Sequence, residues 1–172
     1  MKMNDLMRNV VGYGYGRPMS RGEEVTVAVQ SGALPWRVKR SKKSEKAEVL
    51  LITGRRSGRW TIPKGWPIDG KSLAESAAQE AFEEAGIKGK VSPEPIGTFR
   101  HVKRNFLGPV EVDIHVHAMT VKRELDKWPE RRERTRKWFR VEEAVTVIES
   151  EELRALIVRF VDGLLEDTQS EK

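Results

Sequence analysis

The sequence predicts an α/β/α sandwich around a mixed β-sheet. Three observations carry that expectation: strand-like segments in the first third, one amphipathic helix with clear start and stop signals near the middle, and a second helical repeat near the C-terminal end. Strands and helices in this order pack as a sheet covered by helices on both faces.

Val25 to Arg37 and Ala47 to Thr53 have the apolar, β-branched character of strands. Lys39 to Lys46 reads as a solvated basic hairpin loop between them, and Gly54 to Gly58 as a turn before Arg59 to Pro63. Ser72 is placed to cap the following helix, Glu75 completes a capping box, and Gly86 ends it. Strand-like stretches follow near Gly89 to Val91, Ile96 to Val102 and Val110 to Val121. In the last of these, Val110, Val112, Ile114, Val116 and Ala118 alternate with Glu111, Asp113, His115 and His117, the pattern of a strand with one packed and one polar side. Leu153, Leu156, Ile157, Phe160, Val161 and Leu164 recur at helical spacing and predict a helix packed on the sheet.

A chain of 172 residues at 38% hydrophobic content suits one globular domain. Gly12, Gly14, Gly16 and Pro18 mark residues 1–24 as a flexible N-terminal arm, residues 25–166 form the domain, and residues 167–172 read as a polar tail. The Gly-Tyr-Gly-Tyr-Gly run lacks the flanking strand and helix that a dinucleotide loop needs. Cysteine is absent, which removes disulfides, thiolate catalysis and Cys-ligated zinc and fits a reducing compartment, the cytoplasm. Met1 to Arg8 lacks an apolar signal core, and no apolar run approaches the ~20 residues that cross a bilayer, so a soluble protein without a membrane partner is expected.

Net charge is +6, and from Ser31 to Lys64 ten Lys or Arg stand against two Glu, so an anionic partner is expected there. Charge alone does not choose among nucleic acid, lipid headgroups and polyphosphate. Acids interspersed with bases from Lys122 to Lys137 argue against an extended nucleic-acid track.

The central helix carries the chemistry. Glu80, Glu83 and Glu84 fall within one arc of about 100°, beside an apolar arc of Ala74, Ala77, Ala78, Ala81, Phe82 and Ala85. Such an acidic face can coordinate a hard dication, or it can simply be solvated.

The surrounding spacing bears on that choice. The stretch resembles the Nudix box, Gly, five residues, Glu, seven residues, Arg-Glu-apolar-x-Glu-Glu-x-Gly-apolar: Gly65, Glu80, Ala81, Glu83, Glu84, Gly86 and Ile87 stand in register. Lys71 replaces the first Glu and Gln79 the Arg. Further matches, Leu34-Pro-Trp-Arg37, Arg59-Trp-Thr-Ile-Pro-Lys-Gly-Trp-Pro67 and Arg134-x-Arg-Lys-Trp-Phe139, resemble the diphosphoinositol polyphosphate and diadenosine polyphosphate branch.

The resemblance implies a Nudix-type α/β/α sandwich and a hydrolase that cuts phosphoanhydrides of a polyphosphorylated small molecule with Mg²⁺ or Mn²⁺. Glu80, Glu83 and Glu84 would hold the metal, aided by the Gly65 carbonyl. Arg37, Thr53, Arg55, Lys64, Arg104 and Arg134 would grip phosphates. The general base is Glu84 or a loop acid such as Glu130, with Glu84 preferred. His115 and His117 read either as hydrogen-bonding residues of a cavity or as part of a second metal site. Trp36, Trp60, Trp66, Trp128 and Trp138 read mainly as packing anchors. Two other functions stay open: a binding module in which Lys71 and Gln79 record weakened catalysis, and an RNA 5′ pyrophosphohydrolase.

Overall fold

A computed structural model describes residues 27–40, 45–105 and 108–170. The proposed arm, the first two residues of the expected strand, Val25 and Thr26, and the centre of the basic loop, 41–44, lie outside the described residues.

Eight strands form one sheet. β1 (Ala28–Arg40), β2 (Glu45–Thr53), β3 (Trp60–Thr61) and β4 (Lys64–Gly65) precede helix α1 (Leu73–Ala85); β5 (Ile87–Val91), β6 (Gly97–Asn105), β7 (Gly108–Glu124) and β8 (Arg136–Arg140) follow it. Two helices close the chain, α2 (Val141–Val147) and α3 (Glu151–Ser170). The main strand order is β3-β2-β1-β7-β5, with β4 beside β1, β6 beside β7 and β8 beside β2. β1 and β7 run parallel, from Ala28 opposite Val112 to Trp36 opposite Thr120, and the other pairings are antiparallel.

Alternation along the strands splits the core in two. Ala33, Leu50, Ile52 and Met119 pack with Ala77, Ala81 and Ala85 of α1. Leu34, Val49, Leu51, Ile114 and Val116 pack with Ala144 of α2 and with Leu153, Leu156 and Ile157 of α3. This is the expected sandwich. The alanines of α1 allow the helix to lie close to the sheet, which draws the carboxylates beside them toward β4.

Both ends of α1 are held as the sequence suggests. The Ser72 hydroxyl accepts the Glu75 N–H at 3.1 Å and Glu75 Oε2 accepts the Ser72 N–H at 2.7 Å. Gly86 takes φ 63°, and an added Cβ would meet the Trp128 ring at 2.5 Å, so only glycine ends the helix here. The exposed carbonyls gain a partner from far along the chain: Arg136 Nη1 donates to the Ala85 and Gly86 carbonyls at 2.8 and 3.0 Å. A cation at a helix C-terminus also complements the helix dipole.

Several expectations need correction. β1 and β2 extend to Arg40 and from Glu45, so the hairpin connection is shorter than Lys39 to Lys46. The polar side of β7 is covered only toward its C-terminal end, where His117 is 1% exposed and shares a sheet face with Met119, under α1; Glu111 and Asp113 on that face stay outward in ion pairs with Arg100. β8 and α2 were not anticipated, since Arg136–Arg140 is too charged and Val141–Val147 too short to show a clear period. α3 runs through Ser170, past the boundary assigned at residue 166. Its apolar stripe is core, as expected, with Leu153, Leu156, Ile157 and Val161 buried.

Candidate active site

Glu80 and Glu84 point to the junction of α1, β4 and the segment 125–135, while the Glu83 side chain is held by Gln79 on its own helix. Gly65 permits the approach: a Cβ there would lie 2.0 Å from Glu80 Oε1. Glu84 is 8% exposed. Its Oε2 accepts the Lys64 backbone N–H at 3.0 Å, and its Oε1 is paired with Arg134 Nη2. Glu83 Oε1 accepts from Gln79 Nε2 at 2.5 Å, and Gln79 Oε1 in turn faces Lys71 Nζ at 3.5 Å. The two departures from the box pattern are therefore linked: Lys71 fixes which end of the amide faces Glu83.

The segment 125–135 wraps the end of α1. Leu125 N–H donates to the Gly86 carbonyl at 2.8 Å and Glu130 N–H to the Glu83 carbonyl at 3.1 Å. This seats Glu130, whose Oε2 takes Arg134 Nε at 2.6 Å and whose Oε1 pairs with Arg55. Arg134 also donates to the Thr53 carbonyl at 3.1 Å, and the Thr53 hydroxyl accepts the Thr135 N–H at 2.9 Å.

The structure thus brings together Glu80, Glu83, Glu84, Gly65, Lys64, Thr53, Arg55 and Arg134. It does not bring Arg37 to them. Arg37 is bonded to Glu48 at 2.7 Å, stacked 4.0 Å above the Trp138 ring, and lines a separate groove with Lys122 and Glu124. The side chain of Arg104 lies outside the described residues. His117 Nδ1 lies 2.9 Å from the Ser92 carbonyl, and among the described residues no three His, Asp or Glu side chains surround a common point, so the second metal site at His115 and His117 gains no third ligand. The basic tract from Ser31 to Lys64 is largely neutralised where it is described: Arg37 and Lys39 share Glu48, Arg55 pairs with Glu133 as well as Glu130, and Arg59 pairs with Glu149.

Two basic side chains, Lys103 and His101, escaped the sequence reading. Lys103 lies 5.0 Å from the Trp66 ring centroid, and burial, then the charge of Lys64, lower its ammonium pKa to about 8. Partial burial and the same lysines lower the pKa of His101. Lys64 is itself depressed, by burial first, with Glu84 opposing. The alternation of Phe99, His101 and Lys103 on β6 is the signal that would have found them. Lys64 and His101 open onto a cavity of about 410 Å³ with Arg59, Trp60, Phe99 and Glu149 in its lining.

Glu80, Glu83 and Glu84 likewise do not converge on one point as they stand, with Glu84 turned to Arg134 and Glu83 to Gln79, but their oxygen donors are of the type a hard dication prefers. Glu80 is a partly buried carboxylate with no hydrogen-bond donor among the described residues, and burial, followed by the charges of Glu84 and Glu83, raises its pKa to about 7. Burial also raises Glu84, against the pull of Arg134. The cluster is short of positive charge, which oxygen-preferring Mg²⁺ or Mn²⁺ would supply. Recruiting Glu84 means loosening its ion pair with Arg134.

A pH dependence follows for metal-stripped protein. The folded Glu80 holds its proton up to about 7, above the ordinary value of 4.5. The folded state therefore binds more protons between those values, and stability falls as pH rises through that window. Glu80→Gln should flatten this fall and raise stability at pH 7.5 in EDTA by on the order of 1 kcal/mol. Urea unfolding at pH 5 and 7.5 checks it, and an unchanged pH slope in the variant would refute the assignment.

Residues 38–160 match the family model of the NUDIX domain, and the chain belongs to the Nudix family of hydrolases, which act on pyrophosphate bonds. It is 32% identical over 140 residues to Nudix hydrolase 16, mitochondrial, of Arabidopsis thaliana, an alignment covering 76% of this chain and 77% of that protein. It is 31% identical over 111 residues to diphosphoinositol polyphosphate phosphohydrolase 2 of Rattus norvegicus, covering 63% of this chain and 58% of that one. Its fold is similar to that of a C. elegans Ap4A hydrolase, with TM-score 0.57 and 22% identity over 81% of this chain and 99% of the other.

Proposed function

We propose that this chain uses Mg²⁺ or Mn²⁺ to hydrolyse phosphoanhydride bonds in a polyphosphorylated small molecule of the dinucleoside polyphosphate or diphosphoinositol polyphosphate type. The observation that carries this reading is the junction at β4, where the Lys64 backbone bonds Glu84 while its side chain, without an ion pair among the described residues, lines the cavity. Metal ligands and phosphate-binding cations thereby share one short segment.

Glu80, Glu83 and Glu84, with the Gly65 carbonyl, would hold the dication, which when bound neutralises phosphoryl oxygens and makes a bound water more acidic. Lys64 and Lys103 attract the phosphate chain. Arg134 can exchange Glu84 for a phosphate oxygen, since a guanidinium serves either anion through the same fork. That exchange frees Glu84 Oε1 to take the proton of the attacking water. Arg55 stands one ion pair further out, on Glu130 and Glu133.

The reading is tested by incubating the pure protein, with Mg²⁺ and with EDTA, with dinucleoside polyphosphates, inositol pyrophosphates, nucleoside triphosphates and capped RNA, and weighing the products by mass spectrometry. Metal-dependent cleavage between phosphorus atoms is expected. Micromolar binding with no turnover of any compound would favour the binding-module reading, which draws on the commitment of Glu84 to Arg134. A cytoplasmic location rests on the cysteine-free composition; no described helix is long and apolar enough to cross a membrane.

A further inference from the structure

The two departures from the box pattern meet in space. Lys71 directly precedes the cap of α1, and its N–H is bonded to the Ile68 carbonyl at 3.0 Å in a turn where Gly70 takes φ 76°. Gln79 follows eight residues later, and both side chains line one open groove along α1. From there Gln79 reaches in two directions: Nε2 donates to Glu83 Oε1 at 2.5 Å, and Oε1 faces the Lys71 ammonium at 3.5 Å. The second contact is long for a hydrogen bond, and its force is the attraction of a cation for an amide oxygen. The neighbouring acid, Glu75, already spends Oε2 on the Ser72 N–H at 2.7 Å.

An amide has one accepting end and one donating end, so what faces the first decides what the second offers. A cation at position 71 takes the oxygen and leaves the NH₂ for Glu83. An acid there would take the NH₂ and turn the oxygen on Glu83, setting two acceptors face to face. The box pattern carries Glu and Arg at positions 71 and 79, and a guanidinium at 79 alone would press like charge against the Lys71 ammonium. Each departure therefore suits the other and conflicts with the residue the pattern would pair with it. Glu83 Oε2 carries no hydrogen bond among the described residues and is left for a cation.

We propose that Lys71 and Gln79 are positioning residues for Glu83: a cation and an amide together hold one oxygen of its carboxylate, so that the other is presented to the metal. The neutral amide orients Glu83 without cancelling its charge, as a guanidinium would in part. This inference rests on the hydrolase reading only for Glu83 as a metal ligand and uses nothing of the substrate.

The test is the Mn²⁺ affinity of substrate-free protein, read by electron paramagnetic resonance in wild type, Lys71→Glu, Gln79→Arg and the double variant. Groups that orient a metal ligand are worth about 10- to 100-fold in affinity, so each single substitution should weaken Mn²⁺ binding about tenfold or more. The double variant should return to within about threefold of wild type, because a carboxylate at 71 and a guanidinium at 79 attract each other and can again hold Glu83. Lys71→Met leaves the amide free to turn to Glu83 and should weaken Mn²⁺ only about threefold. Net charge alone predicts a different pattern: Lys71→Glu makes the helix face more negative and would tighten Mn²⁺, and the two substitutions would add. Thermal melting in EDTA verifies that each variant is folded. A recovering double variant without turnover of any compound would sink the hydrolase reading and leave this pair standing. Unchanged or tighter Mn²⁺ binding in Lys71→Glu, or a double variant as weak as the weaker single one, overturns the proposal even where metal-dependent hydrolysis is found.

Discussion

Glu83→Gln is expected to lower kcat by at least about 100-fold while leaving the fold intact. Residues that only orient metal ligands typically account for about 10- to 100-fold, and a ligand itself should exceed that range. Glutamine keeps the length and helix propensity of glutamate, so α1 retains its packing through Ala77, Ala81 and Ala85. What changes is the charge and one of the two oxygens: the new amide Oε1 can still accept from Gln79 Nε2, and that leaves an NH₂ group, which cannot ligate a cation, at the other position. Turnover under saturating Mg²⁺ and a Mn²⁺ titration followed by electron paramagnetic resonance are the relevant measurements. Wild-type values for both in a variant with an unchanged melting temperature would remove Glu83 from the metal site.

Arg134→Met should cost about 3 kcal/mol of stability in metal-free protein, since removing one partner of a buried ion pair strands the other charge. The pair is well shielded: the side chains of Arg134 and Glu84 are 9% and 10% exposed, and Glu130 is 17% exposed. Methionine replaces the aliphatic stem but none of the donors, leaving Glu84, Glu130 and the Thr53 carbonyl without the guanidinium. Combining it with Glu84→Gln should recover part of the loss, because the stranded charge is then gone. Added Mg²⁺ should narrow the difference from wild type, as a cation near Glu84 takes over part of the role of the guanidinium. Urea melts in EDTA and in Mg²⁺ read both effects, and a loss below about 1 kcal/mol in EDTA would show that the pair is not compensating buried charge.

The α1 helix was legible in nearly every detail. Ser72, Glu75, the spacing of Glu80, Glu83 and Glu84, and Gly86 interact over three to five residues, so their consequences do not depend on the rest of the fold. Much the same holds for β1, β2 and the apolar stripe of α3. The residues proposed to bind phosphate were less legible. Arg37 matches the family pattern in sequence, yet Glu48 across the β1–β2 pairing claims it. Lys103 drew no notice beside Arg104, although the parity of β6 puts it on the face shared with Phe99 and His101. His117 falls on the polar side of β7 by alternation, which reveals which residues share a face and says nothing of what covers that face.

From the sequence alone came the sandwich, the limits of α1 and the register of its carboxylates, all consequences of backbone preference and short-range periodicity. Only the tertiary structure decided which cations are spoken for and which face the cavity. Arg55 and Glu130 are 75 residues apart, Arg134 and Glu84 are 50 apart, and Glu149 reaches the cavity wall from the junction of two helices. Charge compensation depends on distance through space, and that distance is set by strand register and by the 125–135 segment folding over α1.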